Sequence, residues 1–371
     1  MSKILILANS SGGLYDFRNE LVTRFIGRGD EVVISLPDEL RVPELRAEGA
    51  KVIHTHINRR GMNPMEDIKL YKAYKQLISA EKPDVVVTYT IKPNVYGGMA
   101  AGKLKVPYVA TITGLGSAFQ GGSFKKNLIK KLVVFLYKRG LKKSSCVFFQ
   151  NSENRGIFED LGITTHKKTR LVNGSGVDLE RHVQEPYPGH EDNIVRFLYV
   201  GRLMREKGTA EYLEAAHLLH EKYDDKVSVA TIGYYDEDFR DEVNKAVRNG
   251  ELKTIPFNKD INPFLKEADV VVMPSYHEGM SNVLMEASAT GRPVLASNIS
   301  GCREIVDDKV TGFLFEKQST SSLFKAMDKM VSLSVSERRQ MGEAARKKVE
   351  KEFDRHSIID AYVNEIIGLF H

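Results

Sequence analysis

The sequence predicts two α/β domains, each built on a doubly wound parallel β-sheet with helices on both faces. Three observations support this prediction. The length of 371 residues suits two domains of ordinary size. Short Val- and Ile-rich runs, nearly continuous in apolarity, alternate with helical patterns, as is typical of parallel strands covered on both faces. The alternation lapses over residues 171–193 and then restarts, which indicates an interdomain linker.

The first domain begins with a strand and continues in strand–helix alternation. Helical patterns at Phe17–Arg28 and Met65–Glu81 separate the first strands. Because parallel strands all end at one edge of their sheet, we expect a ligand site at that carboxyl edge. The predicted strands are Lys3–Leu7, Glu31–Leu36, Lys51–His54, Asp84–Tyr89, Tyr108–Ile112 and Cys146–Gln150.

The second domain repeats this rhythm, and helical patterns then close the chain with a break near 353–356. The predicted domains are therefore residues 1–178 and 179–352, with 353–371 as a closing helix. The predicted strands are Arg196–Val200, Lys226–Ile232, Leu252–Phe257, Val270–Pro274 and Pro293–Ser297, and the predicted helices are Ala210–Lys222, Asp238–Arg248 and Ile261–Glu267.

Composition excludes several classes of protein. Cys146 and Cys302 are the only cysteines, so neither a disulfide framework nor a cysteine-based zinc site is available. The densest apolar run, 132–137, is far shorter than the roughly twenty residues of a membrane span. The apolar block at the start is too short for a signal peptide. We therefore expect a cytoplasmic protein without a membrane-spanning segment.

Charge is concentrated in the first half. Residues 1–180 hold 28 Lys and Arg against 17 Asp and Glu, and residues 85–152 contain no acidic residue. A basic region of this kind suits phosphate in nucleic acid, in a membrane surface or in a charged substrate, although a solvated surface is the simpler explanation. Nucleic acid is not expected as a partner, because no aromatic residues interleave with the lysine clusters.

The first strand runs into a loop that contains Gly12 and Gly13. Glycine allows backbone N–H groups to approach a phosphate at a helix N-terminus. The loop lacks the full spacing of a dinucleotide-binding fingerprint. A plain tight turn and a ligand loop both remain open.

The first strand of the second domain leads into a similar loop, GRLMREKG at 201–208. Arg202 and Lys207 lie five positions apart around this turn, so both side chains can converge on one diphosphate. The alternative is that both are solvated surface cations.

Two glutamates, Glu278 and Glu286, bracket a glycine-containing loop after the strand at 270–274. Glu286 falls inside an apolar helix pattern, where a carboxylate is costly to bury unless a ligand hydroxyl or a cation satisfies it. Two carboxylates facing a hydroxyl-rich ligand suggest sugar recognition. The N–H groups at Gly279–Asn282 start the helix and suit an oxyanion or phosphate. A helix-capping Glu278 and a partly exposed Glu286 are the alternative.

These three motifs, in this order, resemble the family 4, retaining, nucleotide-sugar-dependent glycosyltransferases. The resemblance implies the GT-B fold, in which two Rossmann-like domains face a central cleft. It also implies an N-terminal acceptor-binding domain, a C-terminal donor-binding domain, and a closing helix that packs back on the N-terminal domain.

The resemblance further implies a role for each motif residue. Arg202 and Lys207 would bind the donor diphosphate, Glu278 the donor sugar and Glu286 the nucleotide ribose. The same resemblance makes Glu278, Arg202 and Lys207 the residues expected to act in catalysis. The remaining residues expected at the donor are Gly12, Gly13, Gly201, Gly279, Met280, Ser281 and Asn282.

One feature departs from the family pattern. Many relatives carry a histidine after the fifth strand, where this chain has Thr113, so an N-terminal catalytic base is in doubt. A retaining transfer can still proceed on one face of the sugar, with the leaving phosphate accepting the proton. His277 is a neighbouring titratable group whose part in catalysis the sequence leaves open. No metal site is evident, and the acidic run Asp236–Asp238 is interpreted as an acidic cluster around a turn and helix start.

The acceptor is expected to be a saccharide carried on a polyprenyl diphosphate, because residues 87–119 resemble bacterial enzymes of surface-glycan synthesis. Residues 124–139 place apolar side chains near one helical stripe and lysines on much of the remainder. This is the pattern of an interfacial helix, and a core-packed helix with a basic outer face is the alternative. The residues expected at the acceptor are Thr90, Lys92, Asn94, Thr113 and Gly114.

The sequence therefore predicts a retaining glycosyltransferase that uses a UDP-sugar, without a metal or other cofactor. We expect it to act on a lipid-linked saccharide while bound peripherally to the anionic inner face of the cell membrane. A UDP-N-acetylhexosamine 2-epimerase of similar architecture and a non-catalytic nucleotide-sugar-binding module are the alternatives.

Overall fold

The computed structural model describes residues 1–59, 61, 63–115, 119, 124–190 and 192–369, apart from the side chains of residues 124–126. The chain forms two compact units. Unit 1 contains Met1–Ser175 together with Ser357–His371, and unit 2 contains Gly176–His356. The predicted domain boundaries after residues 178 and 352 fall beside these divisions.

Unit 1 is built on a parallel sheet of seven strands in the described part of the chain, in the order β3-β2-β1-β4-β5-β6-β7. The order reverses between β1 and β4, and such a switch point leaves a crevice at the carboxyl ends of the strands. The strands are β1 Lys3–Leu7, β2 Glu31–Leu36, β3 Lys51–His54, β4 Val85–Tyr89, β5 Tyr108–Ile112, β6 Cys146–Phe149 and β7 Thr169–Leu171.

Helices cover both faces of this sheet, and the strands β1, β2, β4, β5 and β6 are buried because apolar side chains from both faces pack into two core clusters. A π-helical turn, Pro93–Gly97, precedes the fourth helix. The helices are α1 Ser11–Gly27, α2 Val42–Ala47, α3 Pro64–Glu81, α4 Gly98–Leu104, α5 Phe124–Leu141 and α6 Ser152–Asp160.

Helix α1 begins earlier than the sequence predicts. The expected start was Phe17, but Gly12 and Gly13 already lie in the first helical turn. Ser10 caps the helix by accepting a hydrogen bond from the Gly13 N–H at 3.3 Å. The Asp38 carboxylate accepts from the Ser11 N–H at 3.0 Å. Because these side chains satisfy the exposed N–H groups, the helix forms despite two glycines.

Unit 2 is also built on a parallel sheet, with six strands among the described residues and the order β10-β9-β8-β11-β12-β13. Its strands follow the same order as the first six of unit 1. The strands are β8 Val195–Val200, β9 Val227–Gly233, β10 Lys253–Pro256, β11 Val270–Met273, β12 Val294–Ser297 and β13 Gly312–Phe315. The helices are α7 Thr209–Tyr223, α8 Arg240–Arg248, α9 Asn262–Glu267, α10 Asn282–Ala289, α11 Thr320–Ser332 and α12 Val335–Glu352.

Two edge strands, β7 and β13, are absent from the sequence prediction. Strand β7 is three residues long and only its first residue is buried. Strand β13 is four residues long and follows a turn at 307–311. Such short segments offer too few residues for a periodic pattern.

The closing helix, α13 Arg355–Ile367, belongs to unit 1. Its buried residues pack in the same core cluster as β1 and α1. The Tyr362 ring lies against the Phe148 ring, with 4.1 Å between the centroids. None of the described helices is long and apolar enough to cross a membrane.

Candidate functional site

The loop 201–208 connects β8 to α7 and is fixed by side chains at both ends. The Thr209 hydroxyl accepts from the Met204 N–H at 2.9 Å and donates to the Met204 carbonyl at 3.0 Å. The Tyr199 hydroxyl donates to the Arg202 carbonyl at 2.8 Å. These contacts hold the backbone that carries both predicted diphosphate ligands.

Gly208 brings this loop against the segment after β11. It has φ +73°, and a Cβ at this position would lie 2.1 Å from the Pro274 carbonyl oxygen. Only glycine fits this conformation and this close approach. The Tyr276 N–H donates to the Glu206 carbonyl at 2.9 Å across the same junction. Two motifs about 70 residues apart in the chain are thereby fixed side by side.

Lys207 and Glu278 form an ion pair. Lys207 Nζ lies 2.6 Å from Glu278 Oε1, and the two side chains are 21% and 13% exposed. The pair is partly shielded from water, which strengthens it relative to a surface pair. The structure thus brings together two residues that the sequence assigns to the same ligand.

Arg202 is also held by a carboxylate. Its Nη1 donates to Asp236 Oδ2 at 2.5 Å. The acidic run Asp236–Asp238 lies at the turn before α8, which begins at Arg240, as the sequence predicts. The Asp236 carboxylate also pairs with Arg202, and Glu237 accepts from the Arg205 N–H at 2.8 Å.

The turn before α10 is closed by a residue that sequence reasoning missed, Gly301. The Ser281 N–H donates to the Gly301 carbonyl at 2.9 Å, so it is not available to a ligand as predicted. Gly301 has φ +86°, and a Cβ there would lie 2.8 Å from the carbonyl oxygens of Glu278 and Gly279. Ser281 also caps α10 through its side chain, and Met280 is buried.

Glu286 lies on α10 with a largely buried side chain. Burial raises the pKa of its carboxyl above the ordinary value of 4.5. Arg355 and Arg181 oppose this shift through their charge. Within the described residues, no side chain donates a hydrogen bond to this carboxylate. His182 Nε2 lies 3.9 Å from Oε1, which is beyond hydrogen-bond distance. The carboxylate therefore has unused acceptor capacity.

His182 is a second residue that the sequence did not reveal. It is 5% exposed, and burial lowers the pKa of its imidazole to about 4. Its Nδ1 is buried without a hydrogen-bond partner among the described residues. At neutral pH, Glu286 therefore faces a neutral imidazole. No motif marks His182, because it lies about a hundred residues before Glu286 in the chain.

In unit 1, several predicted residues follow the carboxyl ends of β4 and β5. Thr90 follows β4 with φ +72°, which is unfavourable for a β-branched residue. Its Oγ1 is buried without a partner in the described structure. Thr113 and Gly114 follow β5 and are half-buried.

Lys92 and Asn94 are occupied by the protein itself. Lys92 Nζ pairs with Asp67 Oδ1 at 2.7 Å. The Asn94 side chain is fully buried, donates to the Thr111 carbonyl at 2.8 Å and accepts from the Thr88 hydroxyl at 2.6 Å. The prediction that Asn94 meets the acceptor is corrected, because this amide links the π-helical turn to the sheet.

Among the described residues, no group of three or more His, Cys, Asp or Glu side chains is arranged to hold a metal ion. His277 is exposed beside the Lys207–Glu278 pair in sequence.

Two family models match the chain in succession. Residues 3–151 match a model described as "Glycosyl transferase 4-like", and residues 184–348 match "Glycosyl transferases group 1". The second match contains Arg202, Lys207, Glu278 and Glu286. The chain belongs to the glycosyltransferases.

Curated relatives resemble this glycosyltransferase over most of its length. An N,N'-diacetylbacillosaminyl-diphospho-undecaprenol α-1,3-N-acetylgalactosaminyltransferase of Campylobacter jejuni is 25% identical and covers 86% of this chain and 87% of its own. A UDP-Gal:α-D-GlcNAc-diphosphoundecaprenol α-1,3-galactosyltransferase of Escherichia coli is 29% identical, over 72% of this chain and 71% of its own.

Solved structures establish the fold of the glycosyltransferase. HepE of Anabaena, determined in complex with UDP, aligns with a TM-score of 0.80 at 18% identity, over 99% of this chain and all of that one. Sucrose-phosphate synthase of Thermosynechococcus elongatus aligns with a TM-score of 0.79 at 20% identity, over all of this chain and 99% of that one. The predicted GT-B fold is confirmed.

Proposed function

We propose that the enzyme transfers a sugar from a UDP-sugar to a saccharide carried on a polyprenyl diphosphate, with retention of configuration. The observation that carries this proposal is the contact between Lys207 and Glu278, 2.6 Å apart at the carboxyl side of the unit 2 sheet. A diphosphate and a sugar are neighbours in a nucleotide sugar, and so are the cation and the carboxylate here. The two relatives named for diphospho-undecaprenol substrates support the acceptor class.

Lys207 and Arg202 bind the donor diphosphate in this proposal. Phosphate oxygens carry more negative charge than one carboxylate and accept several hydrogen bonds, so they displace Glu278 and Asp236 from the two cations. Glu278 then turns to the sugar hydroxyls. During transfer the same cations stabilise the charge that develops on the departing UDP. These side chains supply that charge, and no metal is part of the proposed reaction.

Glu286 binds the ribose of the donor. Its buried carboxylate is desolvated and has unused acceptor capacity, and a ribose diol brings two O–H donors that restore the lost hydrogen bonds. Hydrogen bonds to a charged group contribute about 1.5–3 kcal/mol each. These hydrogen bonds therefore favour the binding of a ribose beside Glu286 over that of an apolar group.

Retention is proposed because the sugar is held on one face by the same groups that hold its leaving diphosphate. The acceptor hydroxyl enters from that face, and the leaving phosphate accepts its proton. Thr113, where relatives carry histidine, has no role as a base in this scheme. The acceptor binds at the carboxyl edge of unit 1, where Thr90, Thr113 and Gly114 are placed.

The test is product analysis by mass spectrometry. The pure protein is incubated with a panel of UDP-sugars, with and without undecaprenyl-diphosphate-linked saccharides, in the presence of EDTA. We expect the lipid product to gain one glycosyl residue and UDP to be released only when lipid is present. Conversion of the UDP-sugar to its 2-epimer without lipid would support the epimerase instead. Binding of UDP-sugar without any product would support the binding module.

Peripheral binding to an anionic membrane surface is part of the proposal. Helix α5 carries three apolar side chains at helical spacing that face solvent: Leu128, Leu132 and Phe135 are 61%, 50% and 52% exposed. Lys130, Lys131, Lys138 and Arg139 lie on the same helix. The opposite face, with Val133, Leu136 and Tyr137, packs into the core. The predicted stripe therefore divides between core and solvent, and the side chains of Phe124, Lys125 and Lys126 lie outside the described residues.

Each Lys or Arg near an anionic surface contributes about 1 kcal/mol, and exposed apolar side chains add to this by inserting among the headgroups. The protein should sediment with phosphatidylglycerol liposomes at low salt and be released at high salt. Replacing Leu128, Leu132 and Phe135 with serine should abolish sedimentation and leave UDP affinity unchanged. The matched control replaces Met65 and Ile68, which are exposed on the acidic start of α3. A wild-type protein that ignores these liposomes contradicts the membrane proposal.

A further inference from the structure

Arg18 is a buried cation without a carboxylate partner among the described residues. It lies on α1 and is 7% exposed. Its guanidinium donates to the carbonyls of Phe17 at 3.3 Å and Gly174 at 3.4 Å. The Gln150 amide, in the orientation that satisfies both of its ends, accepts from Arg18 Nη2 at 3.0 Å and donates to the Thr113 carbonyl at 3.0 Å. Arg18 therefore meets only neutral oxygens.

Aromatic rings enclose the rest of the guanidinium. Arg18 Cζ lies 5.7 Å from the centroid of the Tyr89 ring and 5.4 Å from that of the Tyr362 ring. The hydroxyls of Tyr89, Tyr362 and Thr111 are buried without hydrogen-bond partners in the described structure. Ring faces attract a cation weakly and do not neutralise it. A buried arginine is ordinarily paired with an acid, so this charge needs an explanation.

The position of the cluster is that of a ligand site. Tyr89 ends β4, next to the point where the strand order of the sheet reverses. Thr90 follows in a strained left-handed conformation, with its buried hydroxyl unpartnered among the described residues. Strain of this kind is concentrated at functional sites. Gln150 links Arg18 to Thr113, the residue that follows β5.

The three loops that follow β4, β5 and β6 add no negative charge. Residues 85–152 contain the carboxyl ends of β4, β5 and β6, and no Asp or Glu occurs among them. The positive charge of Arg18 is thus not cancelled by any acid of the three loops that follow these strands. Low-dielectric surroundings carry such a charge further than water does.

We propose that Arg18 and Thr90 form an anion subsite at the carboxyl edge of unit 1, which holds the diphosphate of the lipid-linked acceptor. This inference rests on the proposed function, because it assigns the acceptor's diphosphate to a place in the unit that binds the acceptor. Arg18 supplies the charge and the Thr90 hydroxyl donates to a phosphate oxygen. An arginine with a purely structural role would have no need for an acid-free edge, and it would not be replaced by lysine, which keeps the charge but loses the planar fork.

The decisive variant is Gln150→Glu. It places a carboxylate against Arg18 at the position of the amide oxygen and neutralises the charge without removing the arginine. The thermal midpoint checks that the fold is preserved, because glutamate gains an ion pair with Arg18 but lacks the N–H that the Gln150 amide donates to the Thr113 carbonyl. Calorimetric titration of farnesyl diphosphate into protein saturated with UDP reports on unit 1 alone, because UDP fills the donor site. We expect farnesyl diphosphate to bind the variant at least about tenfold more weakly, with unchanged affinity for UDP.

Two further variants separate charge from shape. Arg18→Lys keeps the charge and loses the fork, so it should bind farnesyl diphosphate within about threefold of wild type. Arg24→Met removes an exposed cation of the same helix, which pairs with Asp360 at 3.1 Å, and should leave binding unchanged. Equal loss in Arg18→Lys and Gln150→Glu would assign Arg18 to structure and overturn the subsite.

Other outcomes overturn the proposal directly. Wild-type protein that does not bind farnesyl diphosphate in the presence of UDP contradicts it, and so does a Gln150→Glu variant that binds like wild type. Glucose 6-phosphate and inorganic phosphate distinguish a soluble phosphate source, since preferential binding of either would reject a lipid diphosphate as the ligand. Failure of the proposed function is seen separately, as the absence of a glycosylated lipid product from wild-type protein.

Discussion

The carboxyl edges of the two units have the same architecture, but their cations are compensated in different ways. Both sheets follow one strand order through their first six strands, and both place cations near the ends of their central strands. In unit 2, Lys207 and Arg202 are each paired with a carboxylate, Glu278 and Asp236. In unit 1, Arg18 meets carbonyls, an amide and two rings. A carboxylate thus occupies the place of an anion at Lys207 and Arg202, and none does so at Arg18 within the described residues.

This difference indicates two ways of preparing a phosphate site. A partly exposed cation such as Lys207 is compensated by a carboxylate, and a ligand that had to displace this carboxylate would gain less net free energy on binding. A buried cation such as Arg18 is held by packing, so its charge is oriented before a ligand arrives. The following predictions test this contrast, from the largest expected effect to the smallest.

Removing the donor cation of unit 2 should have the largest effect. Lys207→Met should lower kcat/KM by about 100- to 1,000-fold, because one preorganised charge at a developing anion contributes on this scale. The matched control is Lys222→Met, which removes a half-exposed lysine paired with Asp328 in the same unit. Steady-state kinetics with UDP release as the readout measures both. If Lys207→Met has no larger effect on kcat/KM than the control, the assignment of Lys207 to the donor site is contradicted.

His182 should make the stability of unit 2 depend on pH. The imidazole pKa falls from 6.5 to about 4 on folding, so the unfolded chain binds the proton more tightly. The contribution is fully present above pH 6.5 and is lost as the pH falls through 4, by about 3 kcal/mol in the free energy of unfolding. His182→Gln should abolish this loss in urea titrations followed by circular dichroism.

The control for that experiment has the opposite sign. His217 is partly exposed, and its hydrogen bond to Glu251 raises the pKa of its imidazole. Its contribution is present below pH 6.5 and is lost as the pH rises through the folded-state value. His217→Gln should therefore slightly lower the free energy of unfolding below pH 6.5. A wild-type stability that stays constant between pH 6.5 and 4 would contradict the burial of His182.

Glu286 is expected to lower the stability of the folded protein at neutral pH and to raise its affinity for UDP. Burial raises the pKa of this carboxyl, so the folded protein loses stability as the pH rises above 4.5 and the group ionises. Glu286→Gln should thus be more stable than wild type at pH 7, with the difference vanishing below pH 4.5. UDP should bind this variant about tenfold more weakly by calorimetry, since a charge-assisted hydrogen bond is lost. The exposed Glu214, replaced with glutamine, serves as the control and should change neither quantity.

The smallest effect is expected from the carboxylate that holds Arg202. Asp236→Asn removes the competing charge, so UDP should bind up to about threefold more tightly, within the range of a partly exposed ion pair. Weaker binding in this variant would show that Asp236 orients Arg202 for the ligand. The paired comparison with Gln150→Glu is informative, because one substitution removes an acid beside a cation and the other adds one.

The elements that the sequence predicts well are those with long, regular patterns. Strands β1, β2, β3 and β5 have the predicted bounds. Pro37 follows β2 and Pro107 precedes β5, and proline marks such ends because it cannot donate to the sheet. Edge strands β7 and β13 are too short to show a period. The start of α1 was misplaced because capping by Asp38 comes from a residue beyond the next strand.

The residues of the proposed donor site could be selected from the sequence because they lie in two compact motifs. Arg202 and Lys207 share one loop, and Glu278 and Glu286 share one loop and helix. Gly301, His182 and Arg18 were not found, and the contact of Asp236 with Arg202 was not foreseen, since each reaches its partner through the fold from a distant segment. The sequence alone does not distinguish a buried polar residue from an exposed one. Tertiary structure was needed to find all four.

A crystal structure with UDP bound tests the central claim most directly. We expect Lys207 Nζ to leave Glu278 and contact a diphosphate oxygen, while the Glu286 carboxylate accepts hydrogen bonds from the ribose hydroxyls. Arg202 should contact the same diphosphate, with Asp236 displaced. A complex in which the diphosphate binds elsewhere and Lys207 stays 2.6 Å from Glu278 would contradict the assignment of the donor to this site.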